Sequence, residues 1–332
     1  MPVPNIRLSL LSSALLFSFT FPTHAADPGG GSSGGFWPQV IYGEDGRQEL
    51  YQVQNPRMRQ FAQSTVALFE AGDVDIPAGS TQARLKTRSY GEANNLCADE
   101  PYRDQQAGAF CSGSLVAQDL IMTAGHCVTD ERACKGIKFV FGFGIGSAGA
   151  DPTSVPASEV YGCGQLVGRR QDGETGPDYA IVRLDRPVAN HAPLKLNRSG
   201  AIANGTKLFV IGHPSGLPTK VAGGAQVRDA DKNGYFVANL DTYGGNSGSA
   251  VFNAVTGQIE GILVRGERDF VYDSEKACMR SNRVPDDGGR GEDVTKVSEV
   301  LALVPELGPR YAFTNAPGPA YSALLAGDLK DW

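Results

Sequence analysis

Between residues 64 and 266 the chain repeats one pattern: short runs rich in Val, Ile, Leu, Phe and Tyr, each closed by Gly, Pro, Asn or Asp. The runs are STVALF at 64–69, SLVA and LIMTAG at 114–125, IKFVFGF at 137–143, YAIVRL at 179–184, KLFVIG at 207–212, YFVANL at 235–240, and SAVF and IEGILVRG at 249–266. Such runs suit strands and are too short for packed helices, and no long helical period separates them. Alternating βαβ architectures are thereby excluded, and an all-β barrel or sandwich is predicted. One late helix is expected, where Val294, Val297, Val300, Leu301 and Val304 recur at helical spacing before Pro305. The 42 glycines and 20 prolines among 332 residues supply the turns, and glycine lacks the three-residue period of collagen. A net charge of −6 argues against a broad basic surface for nucleic acid. With 4 His, metal chemistry has few ligands, and no metal or other cofactor is expected.

The N-terminus reads as an export signal. Arg7 precedes an apolar run from Leu8 to Phe21, followed by Thr23-His24-Ala25, a small-residue cleavage site after Ala25 or Ala26. Residues 1–25 are thus predicted to be a signal peptide, leaving a secreted chain, extracellular or periplasmic, with no membrane segment. The sequence DPGGGSSGG at 27–35 makes 26–39 a flexible linker or propeptide, open to proteases. In an oxidising compartment the six cysteines at 97, 111, 127, 134, 163 and 278 read as three disulfides, and none has the C-x-x-C spacing of a metal or redox site.

Three stretches carry the chemistry, in chain order: TAGHC with His126, PDYAIVRLDRP with Asp178 and GGNSGSAVF with Ser247. Each alone has a bland explanation: a core histidine, a strand cap, a turn. Together they supply what acyl transfer needs, a hydroxyl nucleophile, an imidazole to move its proton and a carboxylate to orient the imidazole. The bare backbone around Ser247 lets the N–H groups of Gly245 and Ser247 converge on a developing oxyanion.

These motifs resemble those of the chymotrypsin-like serine peptidases, and more closely the bacterial branch that includes the glutamyl endopeptidases. TAGHC resembles that family's histidine motif, DYAIVRL its aspartate strand and GNSGS the bacterial form of its serine loop, over roughly residues 60–305. The resemblance implies two six-stranded antiparallel β-barrels with the active site in the cleft between them. His126 and Asp178 would come from the first barrel and Ser247 from the second. It also implies a Cys111–Cys127 bridge beside the histidine. The other four cysteines allow three pairings, among which Cys134–Cys163 with Cys97–Cys278 is preferred. The α/β-hydrolase alternative fits badly, because its G-x-S-x-G would place Ser249 where glycine is required and its triad begins with serine. On this reading 40–310 is one peptidase domain and 311–332 a C-terminal extension.

The pattern departs from animal zymogens at Asn246, which cannot supply the charge that pairs with a newly cut amine. Val40 to Arg47 nevertheless resembles the mature start of the glutamyl endopeptidases, so removal of a propeptide, Ala26 to Gln39, is expected. Asp241 stands six residues before Ser247, where trypsin-like members carry the pocket charge that pairs with substrate Lys or Arg. Leu263 occupies the place of the glutamyl enzymes' histidine. Arg265 is on the same strand, so Asp241 is either a pocket charge or the structural partner of Arg265. Thr242, Gly244 and Gly266 line the pocket by resemblance. The implied activity is a secreted serine endopeptidase acting on proteins or peptides, with Lys/Arg before the scissile bond. The alternatives are a non-catalytic binding or adhesion protein on the same fold, or an esterase. Two further patterns carry less. Asp229, Asp231, Asn233 and Gly234 begin like a calcium loop, but Leu240 stands where a bidentate Glu is needed, so a hairpin turn is expected. GFGIG at 142–146 opens no helix, and His213 is read as structural.

Overall fold

The computed structural model describes residues 40–307, apart from 151 and 174, together with Met1. The expected signal peptide at 1–25, the segment 26–39 and the extension 311–332 lie outside the described residues. Two barrels account for most of the strands. Numbering barrel strands only, the first contains β1 (Thr65–Glu70), β2 (Cys111–Ala117), β3 (Leu120–Thr123), β4 (Ile137–Val140), β5 (Val160–Gln171) and β6 (Asp178–Leu184), closed in the order β4-β5-β6-β3-β2-β1. The second contains β7 (Lys207–Gly212), β8 (Lys220–Asp229), β9 (Tyr235–Ala238), β10 (Ala250–Asn253), β11 (Ile259–Arg265) and β12 (Glu292–Lys296), in the order β7-β10-β11-β12-β9-β8. Pairing of β7 with β8 closes this ring, and Arg47–Glu49 adds a short strand to β8. Every barrel pairing is antiparallel. This is the all-β, two-barrel architecture that the resemblance implies.

Closure removes sheet edges and puts apolar side chains inside each ring. Leu68, Ile121 and Val182 of the first barrel belong to one buried cluster with Phe209, Phe252 and Ile262 of the second, so the two barrels share a core. Phe61 stacks on Phe252 at 5.2 Å from the helix Pro56–Gln63, which Asn55 caps by accepting from the N–H groups of Arg57 and Met58. The six cysteines form Cys97–Cys278, Cys111–Cys127 and Cys134–Cys163. Among the described residues no helix is long and apolar enough to cross a membrane.

The late helix is not formed. Val294 lies in β12 and Val297–Val300 form a single 3₁₀ turn. The valines at 297 and 300 are three apart, which a 3₁₀ turn brings to one face, and Val294 instead fills the second barrel's core. Strands β5 and β8 were not legible as apolar runs. Gly162, Gly164 and Gly168 interrupt β5, whose register shifts at bulges between Cys163 and Gln165 and between Leu166 and Gly168. At 229–234 the chain makes a hairpin connection in which Asp229 pairs with Lys232 at 2.9 Å. Lys296 Nζ donates to the carbonyls of Ala230 and Lys232, so an ammonium group already fills the oxygen-lined side of this turn.

Candidate active site

Strand pairing assembles the first half of the site. Ala180 of β6 is opposite Thr123 of β3, so the start of β6 at Asp178 runs beside the turn Ala124-Gly125-His126 that follows β3. Asp178 is 1% exposed and every carboxylate oxygen has a donor. Oδ2 is 2.7 Å from His126 Nδ1, while Oδ1 accepts from the N–H groups of Gly125 at 2.5 Å and His126 at 3.1 Å. Those contacts fix the ring so that Nε2 faces away from the carboxylate. Thr295 of β12 clasps the Asp178 backbone from the second barrel, its hydroxyl accepting from the N–H at 2.9 Å and donating to the carbonyl at 3.1 Å. His126 also gathers with Cys111 and Cys127 in a constellation of metal-ligand types, but the two sulfurs are bonded to each other.

The second half is the loop between β9 and β10. Ser247 sits in a backbone turn flanked by Gly245 at φ +91° and Gly248 at φ +89°, where L side chains are disfavoured. A Cβ at Gly248 would also overlap the Ser112 carbonyl and the Thr123 hydroxyl. The loop is tied to the first barrel by Ser112, whose N–H donates to the Ser247 carbonyl at 2.8 Å and whose hydroxyl donates to the Gly245 carbonyl at 2.9 Å. Ser112 Oγ in turn accepts from His213 N–H at 2.9 Å, and Nδ1–H of the buried His213 ring donates to the Leu217 carbonyl at 3.0 Å. Burial pushes the His213 imidazole down to about 3, so it stays neutral. Ser247 Oγ lies 3.4 Å from the Val264 carbonyl of β11. Among the described residues the amides of Gly245 and Ser247 donate to no protein acceptor, whereas that of Asn246 donates to Tyr243 at 2.9 Å.

Residues expected around a specificity pocket fall into separate environments. Asp241 is 5% exposed, with Oδ1 accepting from Tyr42 N–H at 2.8 Å and Oδ2 from Gly46 N–H at 2.7 Å. Burial pushes its carboxyl up to about 7. Arg265 does not pair with it, contrary to the expected alternative. Its guanidinium instead bonds Asp293 at 2.9 Å and the Gly176 carbonyl at 2.7 Å, because β11 and β12 are adjacent and place Arg265 opposite Asp293. Leu263 points into the second barrel's core. The Gly244 N–H donates to Asp269, a carboxyl that burial pushes up to about 8. Thr242 is fully buried, its hydroxyl 3.2 Å from Glu292, and a Cβ on Gly266 would overlap that same Glu292 carboxyl. Ser112, Thr295, Asp269 and Glu292 were not singled out in the sequence. Glu292 precedes, and Thr295 lies within, the segment read as a helix, where strand alternation in EDVTK is the signal that was available.

Comparison with known proteins points the same way as the motifs. Residues 111–262 match the family model of a trypsin-like peptidase domain. The glutamyl endopeptidase of Bacillus licheniformis is 27% identical over 150 residues, covering 43% of this chain and 45% of that protein. A trypsin from Sarcophaga bullata is 29% identical over 126 residues, 37% of this chain and 42% of that one. The venom plasminogen activator Haly-PA of Gloydius brevicauda is 32% identical over 99 residues, 28% of this chain and 34% of that one. The chain thus spans less than half the length of these curated relatives. A solved structure described as a Glu endopeptidase in complex with MPD aligns with a TM-score of 0.46 at 17% identity, over 79% of this chain and 96% of that chain. With TAGHC, DYAIVRL and GNSGS in this order on two six-stranded barrels, the chain is similar to the chymotrypsin-like, or trypsin-like, serine peptidases and carries a match to their peptidase domain over residues 111–262.

Proposed function

We propose that this protein is a secreted serine endopeptidase that cleaves protein or peptide substrates through an acyl-enzyme. The observation that carries this reading is the 2.7 Å contact between His126 Nδ1 and an Asp178 carboxylate saturated with donors. Ser247 Oγ attacks the scissile carbonyl while His126 Nε2 takes its proton, and Asp178 stabilises the imidazolium without itself taking the proton. The Gly245 and Ser247 amides receive the oxyanion, His126 returns the proton to the leaving amine, and water then repeats the sequence to release the acid. Three disulfides suit an oxidising compartment, in keeping with export through a signal at 1–25. The burial of Val40 and Ile41, with Thr242 N–H on the Val40 carbonyl, supports a mature domain starting near Val40 after removal of 26–39, and running to about 310 with 311–332 as an extension. For specificity we infer Lys/Arg before the scissile bond, because the buried Glu292 carboxyl lies against Thr242 and Gly266 and that of Asp269 against the Gly244 N–H.

Fluorophosphonate labelling tests the core of this reading. The secreted wild type is expected to be modified at Ser247 and to cleave a protein substrate, and Ser247→Ala to do neither. A folded, processed wild type that stays unlabelled would establish a binding protein. Labelling with ester hydrolysis but no protein cleavage would establish an esterase. N-terminal sequencing of the active form checks the start near Val40.

A further inference from the structure

Glu292 differs from the other buried carboxyl groups near Ser247 in what surrounds it. It opens β12, is 0% exposed and projects towards the strand end that carries Val264, Arg265 and Gly266. The space where Gly266 lacks a side chain is occupied by its carboxyl group. Its polar contacts are the Thr242 hydroxyl at 3.2 Å, the Tyr42 hydroxyl at 3.4 Å and the Glu267 N–H at 3.5 Å, all at the long end of hydrogen-bond range. Among the described residues it has no ion-pair partner. Arg290, whose charge acts on it, is committed to Asp293 at 2.7 Å, and Arg265 bonds the same Asp293 oxygen at 2.9 Å. Asp241, by contrast, is fully engaged by two main-chain N–H groups that close the segment 42–46 onto it.

A buried carboxylate without a cation is costly, and the cost is relieved by protonation or by an arriving positive charge. On the peptidase reading above, Thr242 and Gly266 face the side chain before the scissile bond. We propose that Glu292, not Asp241, is the specificity-determining residue that pairs with a Lys or Arg side chain of the substrate, with Asp241 acting as the positioning anchor for residues 42–46. The glycine at 266 is then required for a second reason besides access: any side chain there would displace the carboxyl group. Burial holds the Glu292 carboxyl well above its usual range, with Asp269 adding to the rise and Arg290 opposing it, so pairing with a substrate cation favours the carboxylate and releases the proton to water.

The test is a set of peptide substrates differing only in the residue before the cut: Lys, Arg, Glu, Phe and Ala. Wild type is expected to favour Lys and Arg. Glu292→Gln is expected to lower kcat/KM on those two by about 100-fold while changing Phe and Ala by less than about threefold, as for loss of one partner of a buried charge pair. Asp241→Asn is expected to lower all five substrates together, leaving the ratios intact. Retention of the Lys/Arg preference in Glu292→Gln, or its loss in Asp241→Asn alone, overturns the proposal. So does a wild type that is labelled at Ser247 and cleaves peptides without favouring Lys or Arg, an outcome that leaves the peptidase reading standing. If Glu292→Gln does not fold, a crystal structure of wild type with benzamidine decides. The amidinium should lie within about 3 Å of the Glu292 carboxylate, and its placement on Asp241 or Asp269 refutes the assignment.

Discussion

Asp178 in the first barrel and Asp241 and Asp269 beside the second are held in different ways. In the first, Asp178 is met by three donors from the adjoining turn and is clasped through its backbone by Thr295, so its position is fixed. In the second, Asp241 takes the amides of Tyr42 and Gly46 and Asp269 takes that of Gly244, and burial raises both carboxyl groups, to about 7 and about 8. The first arrangement suits a group that must hold an imidazole in place through a proton transfer. The second suits a region that changes state when a charged group arrives.

Asp178→Asn strikes this contrast hardest. It keeps the volume but removes the acceptor opposite His126 Nδ1, and kcat is expected to fall by about 10⁴-fold while the circular dichroism spectrum is unchanged. An Asn variant within tenfold of wild type would show that Asp178 only buttresses the fold. Next in size is Gly248→Ala, which places a Cβ on the Ser112 carbonyl at a positive φ and is expected to cost about 1–3 kcal/mol and abolish labelling. Gly72→Ala, with open space around it, should leave the denaturation midpoint nearly unmoved and serves as the control. Ser112→Ala removes the hydroxyl that links Gly245 and His213, and an expected loss of about 1–3 kcal/mol with slower labelling would measure how much the first barrel holds the serine loop.

The smallest effect is in the pH dependence of stability. Asp241 and Asp269 both bind their protons more tightly folded than unfolded, so the stability they contribute is fully present below the unfolded value near 3.8 and is lost as pH rises through about 7 to 8. Tm measured from pH 4 to 9 should fall across that window, and Asp269→Asn should flatten its upper part. A Tm that rises between pH 5 and 8 in both proteins would break the comparison.

Much of the site was legible because its chemistry is local. TAGHC, DYAIVRL and GNSGS each carry a candidate triad side chain together with the small residues its backbone needs, and short apolar runs between turns announced an all-β chain. What escaped was encoded between segments. Strand β5 hid behind its glycines, and Val297 and Val300 share a 3₁₀ turn although their spacing matched a helix, because spacing of three does not distinguish the two. Thr295 and Ser112 are ordinary strand residues until the second barrel meets the first.

The sequence by itself determined the resemblance to the chymotrypsin-like serine peptidases, the candidate triad and the all-β class, since each follows from residue types at fixed short spacing. Only the tertiary structure decided how the buried charges are shared. Arg265 and Asp241 are near in motif space, but β11 lies against β12, so the guanidinium goes to Asp293, Asp241 takes the amides of Tyr42 and Gly46, and Glu292 has no cation partner among the described residues. Ion pairing depends on distances of a few ångströms across strands far apart in the chain, and strand register, not residue spacing, sets those distances.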